Sequence, residues 1–86
     1  MDYEVEFMPE ATNELERLDR ILTERIFKKI KWLSDNFKQI APKPLTGELK
    51  GLFKLRIGNY RAIYSIDYEK RLIVIHLIGH RKDIYK

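Results

Sequence analysis

Cysteine is absent from this chain of 86 residues, and its absence narrows the chemistry that the protein can perform. Disulfides, thiolate metal sites and cysteine nucleophiles are all excluded, and a chain without disulfides fits a reducing compartment, so we expect a cytoplasmic location. No apolar run approaches the roughly 20 residues that a helix needs to cross a bilayer, and no membrane partner is expected. The acidic start, Met-Asp-Tyr-Glu-Val-Glu, does not fit a signal peptide.

Sequence motifs for metal, phosphate-loop or serine chemistry are missing as well. The chain has no glycine-rich phosphate loop, no EF-hand spacing and no nucleophilic-serine motif. Its two histidines, His76 and His80, lie on a predicted strand and its exit, about 13 Å apart, which is too far to share a metal ion. His76 is favoured as a hydrogen-bonded structural residue over a catalyst. We expect no metal and no other cofactor.

Acidic residues are scarce in the second half of the chain. Residues 1–42 hold 7 Lys/Arg and 9 Asp/Glu, whereas residues 43–86 hold 10 Lys/Arg and 4 Asp/Glu. The net charge of +4 therefore comes entirely from the second half. Such an asymmetry suggests a polyanionic partner, and nucleic acid is the leading candidate.

Hydrophobic periodicity predicts one small α+β domain over residues 1–86. Alternating apolar and acidic residues over 3–7 fit a half-buried strand. An apolar stripe at helical spacing then covers 11–37, but a single helix of about 42 Å would outgrow the sheet of so small a domain. We therefore break it near Asp19-Arg20, which predicts a helical hairpin over roughly 9–18 and 21–36.

Two groups of side chains on the second helix lie off its apolar stripe. The aromatic residues Phe27 and Trp32 either widen the core face or offer a surface to a partner, and we favour the core. The cations of this helix form either a stripe for nucleic acid or a solvated face, and we favour the solvated face. These cations are Arg25, Lys28, Lys29 and Lys31.

The remaining segments are predicted to be a loop, a three-stranded antiparallel meander and a short tail. Two prolines and two glycines make residues 38–51 an irregular connection. The last strand, over 72–78, is almost continuously apolar, as is typical of a central strand buried on both faces. Gly79 is predicted to end it, so that His80, Arg81 and Tyr85 follow the strand end, where functional groups concentrate.

The first two strands of the meander carry the most informative pattern. The loop Gly58-Asn59 fits a primed two-residue hairpin turn, because both residues tolerate positive φ. The resulting register places Arg56 opposite Arg61 and Lys54 on the same face. Since like charges directly opposite each other destabilise a sheet, this patch indicates a site for an anion. The alternative is a solvated cationic face.

These residue types suit the cleavage of RNA as well as its binding. Arginine forks match phosphate oxygens, and histidine and tyrosine can transfer protons or stack on bases. RNA carries its own nucleophile, the 2′-OH. The protein needs only to orient it, accept its proton, stabilise the developing charge and protonate the 5′ leaving oxygen.

The chain resembles the RelE/ParE superfamily of bacterial and archaeal toxins, specifically its RelE-like branch, over nearly its whole length. The most specific segments are Gly-Asn-Tyr-Arg-x-x-Tyr at 58–64, Ile-Gly-His-Arg at 78–81 and the tyrosine Tyr85. The resemblance implies a β-α-α-β-β-β fold: an N-terminal strand, an α-helical hairpin and a three-stranded antiparallel meander in one twisted sheet.

Members of the RelE-like branch are toxins of type II toxin–antitoxin pairs that cut mRNA in the ribosomal A site without a metal. The resemblance therefore implies a metal-independent endoribonuclease that inhibits translation. Arg61 would hold the scissile phosphate, Arg81 would stabilise charge or assist the leaving oxygen, and Tyr85 would stack on a base or help to deprotonate the 2′-OH. The implied catalytic residues are Lys54, Arg61, His80, Arg81 and Tyr85. The implied RNA-binding residues are Lys50, Lys54, Arg56 and Lys82.

The resemblance also implies binding partners for the protein. The partners would be the ribosome with its mRNA and an acidic RelB-like antitoxin, which would wrap this surface in a hetero-oligomer.

The chain departs from the family pattern at two positions. RelE has a second lysine where this chain has Leu52, and YoeB-like members have a glutamate base where it has Lys43. The general base is therefore either His80 or Tyr85. Two alternatives stay open: a ParE-like inhibitor of DNA gyrase and a non-catalytic nucleic-acid-binding module.

Overall fold

The computed structural model describes residues 3–84 and has a five-stranded sheet that packs against a helical hairpin. Its strand order is β1-β5-β4-β3-β2, in which β1 runs parallel to β5 and the other neighbours are antiparallel. This order confirms the predicted strand, helical hairpin and three-stranded meander. The elements are β1 (Glu4–Phe7), α1 (Pro9–Arg17), α2 (Arg20–Asp35), β2 (Lys43–Pro44), β3 (Phe53–Ile57), β4 (Tyr60–Asp67), β5 (Leu72–His80) and the single turn α3 (Arg81–Ile84).

The break between the two helices lies where it was predicted, and Asp19 marks it. Oδ1 of Asp19 accepts the backbone N–H of Leu22 at 2.8 Å, which is the hydrogen bond of a helix N-cap. The first helix begins at Pro9, whose fixed φ suits a first helical turn. The sequence signal for the break is therefore a capping aspartate, since neither glycine nor proline interrupts the stripe.

The core lies between the apolar stripe of the helices and one face of the meander. Ile26 and Leu33 of α2 are fully buried against Tyr64, Ile73 and Ile75 of the sheet. The face of the hairpin predicted to be apolar is confirmed, because it supplies core residues or residues packed against them. These are Leu55, Ile57, Ala62 and Tyr64, with Phe53 and Tyr60 at the margin.

The connection 38–51 is more regular than predicted. It contains 3₁₀ turns at Phe37–Gln39 and Gly47–Leu49, and the short strand β2 pairs with Lys54 and Phe53 of β3. The prolines predict that no strand forms here. The strand β2 is nevertheless possible because it is at the edge of the sheet, where a missing N–H donor is tolerated.

The strand β5 is also longer than predicted, because Gly79 does not end it. Gly79 and His80 pair with Arg61 and Tyr60 of β4, so the strand itself carries His80 into the site. A Cβ on Gly79 would lie 3.1 Å from Cδ1 of Ile84, which explains the glycine as a close contact for α3.

Only one face of β5 is buried throughout, although the strand is internal as predicted. Its pairing with β4 shifts at a bulge, because Ile63 pairs with Leu77 and Tyr64 pairs with Ile75. The extra residue, His76, lies beside Ser65, and its Nε2 is 2.8 Å from the serine Oγ. His76 is thus hydrogen-bonded within the sheet, as predicted.

The two aromatic residues of α2 do not belong to the core, contrary to prediction. Phe27 and Trp32 are 45% and 43% exposed, respectively. The buried positions of this helix are instead occupied by Ile26, Ile30 and Leu33. Within residues 3–84, no helix is long and apolar enough to cross a membrane.

Two isoleucines of α2 provide a matched test of this packing. Ile26 is fully buried and Ile21 is 74% exposed, so Ile26→Val should lower the free energy of unfolding by about 1 kcal/mol. Ile21→Val removes the same methylene and should change stability by less than about 0.5 kcal/mol. Urea unfolding of both variants measures the difference, and equal losses would contradict the assigned burial.

Candidate functional site

The β3–β4 hairpin has the predicted register, with Arg56 opposite Arg61 and Lys54 opposite Ile63. The turn differs in one detail, because only Gly58 of its two loop residues has a positive φ, 59°. A positive φ at the first loop position alone is the pattern of a type II′ turn. The group that Asn59 contributes to the site is its backbone carbonyl.

The carbonyl groups of this turn position two arginines. Nη1 of Arg61 donates to the carbonyl oxygens of Gly58 at 2.9 Å and Tyr60 at 2.8 Å. The backbone N–H of Arg81 donates to the carbonyl oxygen of Asn59 at 2.8 Å. The turn thus orients the side chain of one arginine and anchors the backbone of the other beside it.

The ring of His80 is held between β4 and α3. It packs edge-on against Tyr60, with ring centroids 5.5 Å apart, and its Nδ1 accepts the backbone N–H of Lys82 at 3.2 Å. Because Nδ1 acts as an acceptor, the proton of the neutral ring is on Nε2. His80 therefore presents its Nε2–H as a hydrogen-bond donor.

An open groove runs beside the core, between one side of α2 and the β3–β4 hairpin. One part, with a volume of about 320 Å³, is bounded by α2, the segment 40–43, β3 and β4. A second, wider part of about 440 Å³ lies between α2 and the hairpin turn and shares three lining residues with the first. We call the two parts together the cationic groove. Its charged lining residues are Arg25, Lys28, Lys29, Lys43, Lys54, Arg56 and Arg61.

The electrostatic character of the cationic groove follows from this lining. Seven of the 17 Lys/Arg of the chain line it, and none of the acidic residues within 3–84 does. Concentrated charge of one sign in a concave surface attracts a polyanion. The groove also has no carboxylate pair to hold a metal, and the described part of the chain contains no cluster of three or more His, Cys, Asp or Glu suited to one.

Comparison with known proteins identifies the family to which this chain belongs. A family model described as ParE toxin of type II toxin–antitoxin system, parDE, matches residues 5–85. The chain belongs to the RelE/ParE family of toxins. It is 39% identical over 87 residues to Toxin RelG of Mycobacterium tuberculosis, a match that covers 100% of this chain and 99% of the relative.

Solved structures place the toxin within the RelE-like branch of this family. The RelBE2 toxin–antitoxin complex from Mycobacterium tuberculosis contains a chain that is 33% identical to it, with a TM-score of 0.82. That match covers 94% of this chain and 100% of the other. The isolated RelE toxin of Escherichia coli, 21% identical with a TM-score of 0.74 over 91% of this chain and 83% of that one, shares the fold.

The structure brings most of the predicted site residues of the toxin together. Lys54, Arg56 and Arg61 line the cationic groove, and His80 and Arg81 lie at the adjoining hairpin turn. Two predicted RNA-binding residues, Lys50 and Lys82, are exposed but do not line the groove. Tyr85 lies outside the described residues.

The second wall of the groove is the part that sequence reasoning missed. The expectation of a solvated face is confirmed for Arg25, Lys28 and Lys31, which are exposed. Arg25, Lys28 and Lys29 also line the open groove, which the sequence did not indicate. A signal for this wall existed in the spacing of Arg25, Lys29 and Trp32. Positions i, i+4 and i+7 lie on one face of a helix, here a face separate from the apolar stripe.

Tyr64 is one of the uncharged residues that line the groove. Burial, and secondarily the proximity of Tyr68, raises the pKa of Tyr64 from 10.0 to about 12. Its phenol therefore remains protonated at physiological pH, where it can donate a hydrogen bond but cannot accept a proton as a base.

The raised pKa of Tyr64 predicts a loss of stability in alkali. Between pH 10 and about 12 the unfolded chain releases this proton while the folded chain retains it, so the free energy of unfolding falls as pH rises. The loss attributable to Tyr64 is at most about 3 kcal/mol. Tyr64→Phe lacks the proton and should lose correspondingly less than the wild type, relative to pH 8, in urea unfolding. Equal losses in the two proteins would contradict the shift.

Proposed function

We propose that this toxin is a ribosome-dependent endoribonuclease that cuts mRNA in the A site and inhibits translation. The observation that carries the proposal is the convergence of Arg61 and Arg81 on one hairpin turn, at the end of a groove lined with cations. Two arginines beside a histidine are suited to a phosphate that gains charge during the reaction. The RelE-like resemblance supplies the substrate class.

In the proposed reaction the RNA provides the nucleophile. The 2′ oxygen attacks the adjacent phosphorus, the bond between phosphorus and the 5′ oxygen breaks, and the products are a 2′,3′-cyclic phosphate and a 5′-OH. The proton of the 2′-OH passes to a general base, and the 5′ oxygen takes a proton as it leaves. No redox step and no attacking water are needed.

The arginines are assigned to the charge that develops on the phosphate. The turn carbonyls already hold Nη1 of Arg61, so the guanidinium is oriented before RNA binds and can present Nε and Nη2 to the scissile phosphate. Arg81, anchored through its backbone, stabilises charge at the phosphate or at the leaving oxygen. Lys54 and Arg56 hold the strand along the groove, and Lys50 and Lys82 contact RNA outside it.

His80 and Tyr85 share the remaining roles. The bond between Nδ1 of His80 and the N–H of Lys82 favours a ring that donates from Nε2 to a phosphate oxygen. On the family resemblance, the proton of the 2′-OH passes to either His80 or Tyr85.

We also propose an acidic antitoxin as the cellular partner. Two relatives in the solved structures, RelBE2 of Mycobacterium tuberculosis and RelBE of Escherichia coli, are toxin–antitoxin complexes. An acidic segment on the cationic groove would neutralise its charge and block RNA in the same step. The resulting hetero-oligomer would be cytoplasmic, where ribosomes are.

Arginine substitutions test the proposed reaction. Arg61→Ala should lower A-site cleavage of mRNA on programmed ribosomes by roughly 100-fold or more, because a preorganised donor to the transition state is lost. Arg17→Ala is the matched control, since this side chain is 79% exposed and makes only a 3.7 Å surface contact with Glu14. Cleavage by the control should equal that of the wild type. Intact mRNA on ribosomes saturated with wild-type toxin would contradict the proposal.

Inhibition of DNA gyrase is a second candidate, favoured by the match to a family model described as ParE. A gyrase inhibitor would block supercoiling and damage DNA while leaving translation in a purified system unaffected. The presence of His80 beside the arginines favours cleavage, because a pure inhibitor needs no proton donor there. A non-catalytic nucleic-acid-binding module would show salt-dependent binding and no growth arrest on expression.

A further inference from the structure

The wall of the cationic groove formed by α2 has no role in the reaction proposed above. We propose that Trp32 on this wall is a stacking platform for a base of the bound RNA, and that Lys29 and Arg56 hold the neighbouring phosphates. The site would position the strand next to the scissile phosphate that Arg61 holds. This inference rests on the proposed function for its ligand, single-stranded RNA.

The position of Trp32 is the first observation that supports the site. The two parts of the groove share only three lining residues, Lys29, Trp32 and Arg56, so the indole lies where the parts meet. A strand that follows the groove from the hairpin turn to the segment 40–43 must therefore pass this ring. Trp32 is 43% exposed, although the core residues of the same helix are fully or almost fully buried.

The contact between Lys29 and Trp32 is the second observation. Nζ of Lys29 lies 3.9 Å from the centroid of the indole ring, a cation–π contact that keeps a positive charge at the platform. A nucleotide offers one group for each partner. Its base would replace the ammonium on this face of the ring, and the displaced ammonium would pair with the phosphate of the same nucleotide.

The combination of ring and cations favours RNA over an acidic peptide as the occupant. Carboxylates would satisfy the seven cations of the groove but would leave the indole without a matching group. Proteins that bind single-stranded nucleic acid combine a cationic groove with aromatic side chains on which bases stack. Because every base has a π face, such a platform tolerates many sequences.

Trp32 is the only tryptophan of the chain, so its fluorescence reports directly on this site. Wild-type toxin is titrated at low salt with a 2′-O-methyl hexaribonucleotide, in which the nucleophile is blocked and cleavage cannot occur. The matched ligand is an abasic hexamer with the same sugars and phosphates. We expect saturable quenching with the base-containing hexamer only, while anisotropy of a labelled end shows that both hexamers bind.

Variants of the same helix test the contribution of stacking to affinity. Trp32→Ala should bind the base-containing hexamer roughly tenfold more weakly and bind the abasic hexamer unchanged. Trp32→Phe should retain most of the affinity, because it keeps an aromatic face. Ile21→Ala is the control, since Ile21 is an even more exposed apolar residue of α2 and does not line the groove. Circular dichroism verifies the fold of each variant.

The outcomes separate this inference from the proposed function. RNA binding without a change in fluorescence, or equal quenching by the abasic hexamer, would overturn the platform even if A-site cleavage is intact. Quenching by an acidic peptide but not by RNA would overturn it in favour of a protein ligand. Base-dependent quenching in a toxin that leaves ribosomal mRNA uncut would support the platform and refute the cleavage.

Discussion

Repulsion between Arg56 and Arg61 is an energetic cost that the fold of this protein must offset. The two side chains are directly opposite each other on adjacent strands, an arrangement that destabilises a sheet by roughly 0.2–1 kcal/mol. The opposite face of the same hairpin buries Leu55 and Ile57, and each such side chain contributes roughly 1.5–3 kcal/mol. Burial on one face therefore outweighs repulsion on the other. The site depends on the core behind it.

Backbone groups of the hairpin turn place Arg81 and the strand exit beside Arg56 and Arg61. The carbonyl oxygens of Gly58 and Asn59 bind one guanidinium and one backbone N–H, which connects the hairpin to the exit of β5. Gly79 permits α3 to pack closely over that exit. Because these contacts involve the main chain, they position the arginines while leaving guanidinium donors for a ligand.

Sequence reasoning succeeded where a local rule determines the structure. A two-residue loop fixes the register of its hairpin, so the opposition of Arg56 and Arg61 could be predicted from Gly58-Asn59 alone. The helical break could be predicted from the size of the domain, and Asp19 then supplies its cap.

Sequence reasoning failed where the answer depends on how elements pack. The cations on α2 are exposed as expected, but their spacing does not show that the same face lines a groove shared with β3. Trp32 resembles a core residue by type, but Ile26, Ile30 and Leu33 already occupy the core. Strand β2 consists of two residues, Lys43 and Pro44, and so few residues have no recognisable strand pattern.

The parallel pairing of β1 with β5 has a consequence for the order of assembly during synthesis. Glu4 and Leu72, which are partners in the sheet, lie near opposite ends of the chain. A chain that emerges amino end first therefore carries β1 without its partner until the last strand has been made. His80 and Arg81 emerge with or after that same strand. The sheet and the arginine cluster therefore become complete at the same stage, once β5 and Arg81 have been synthesised.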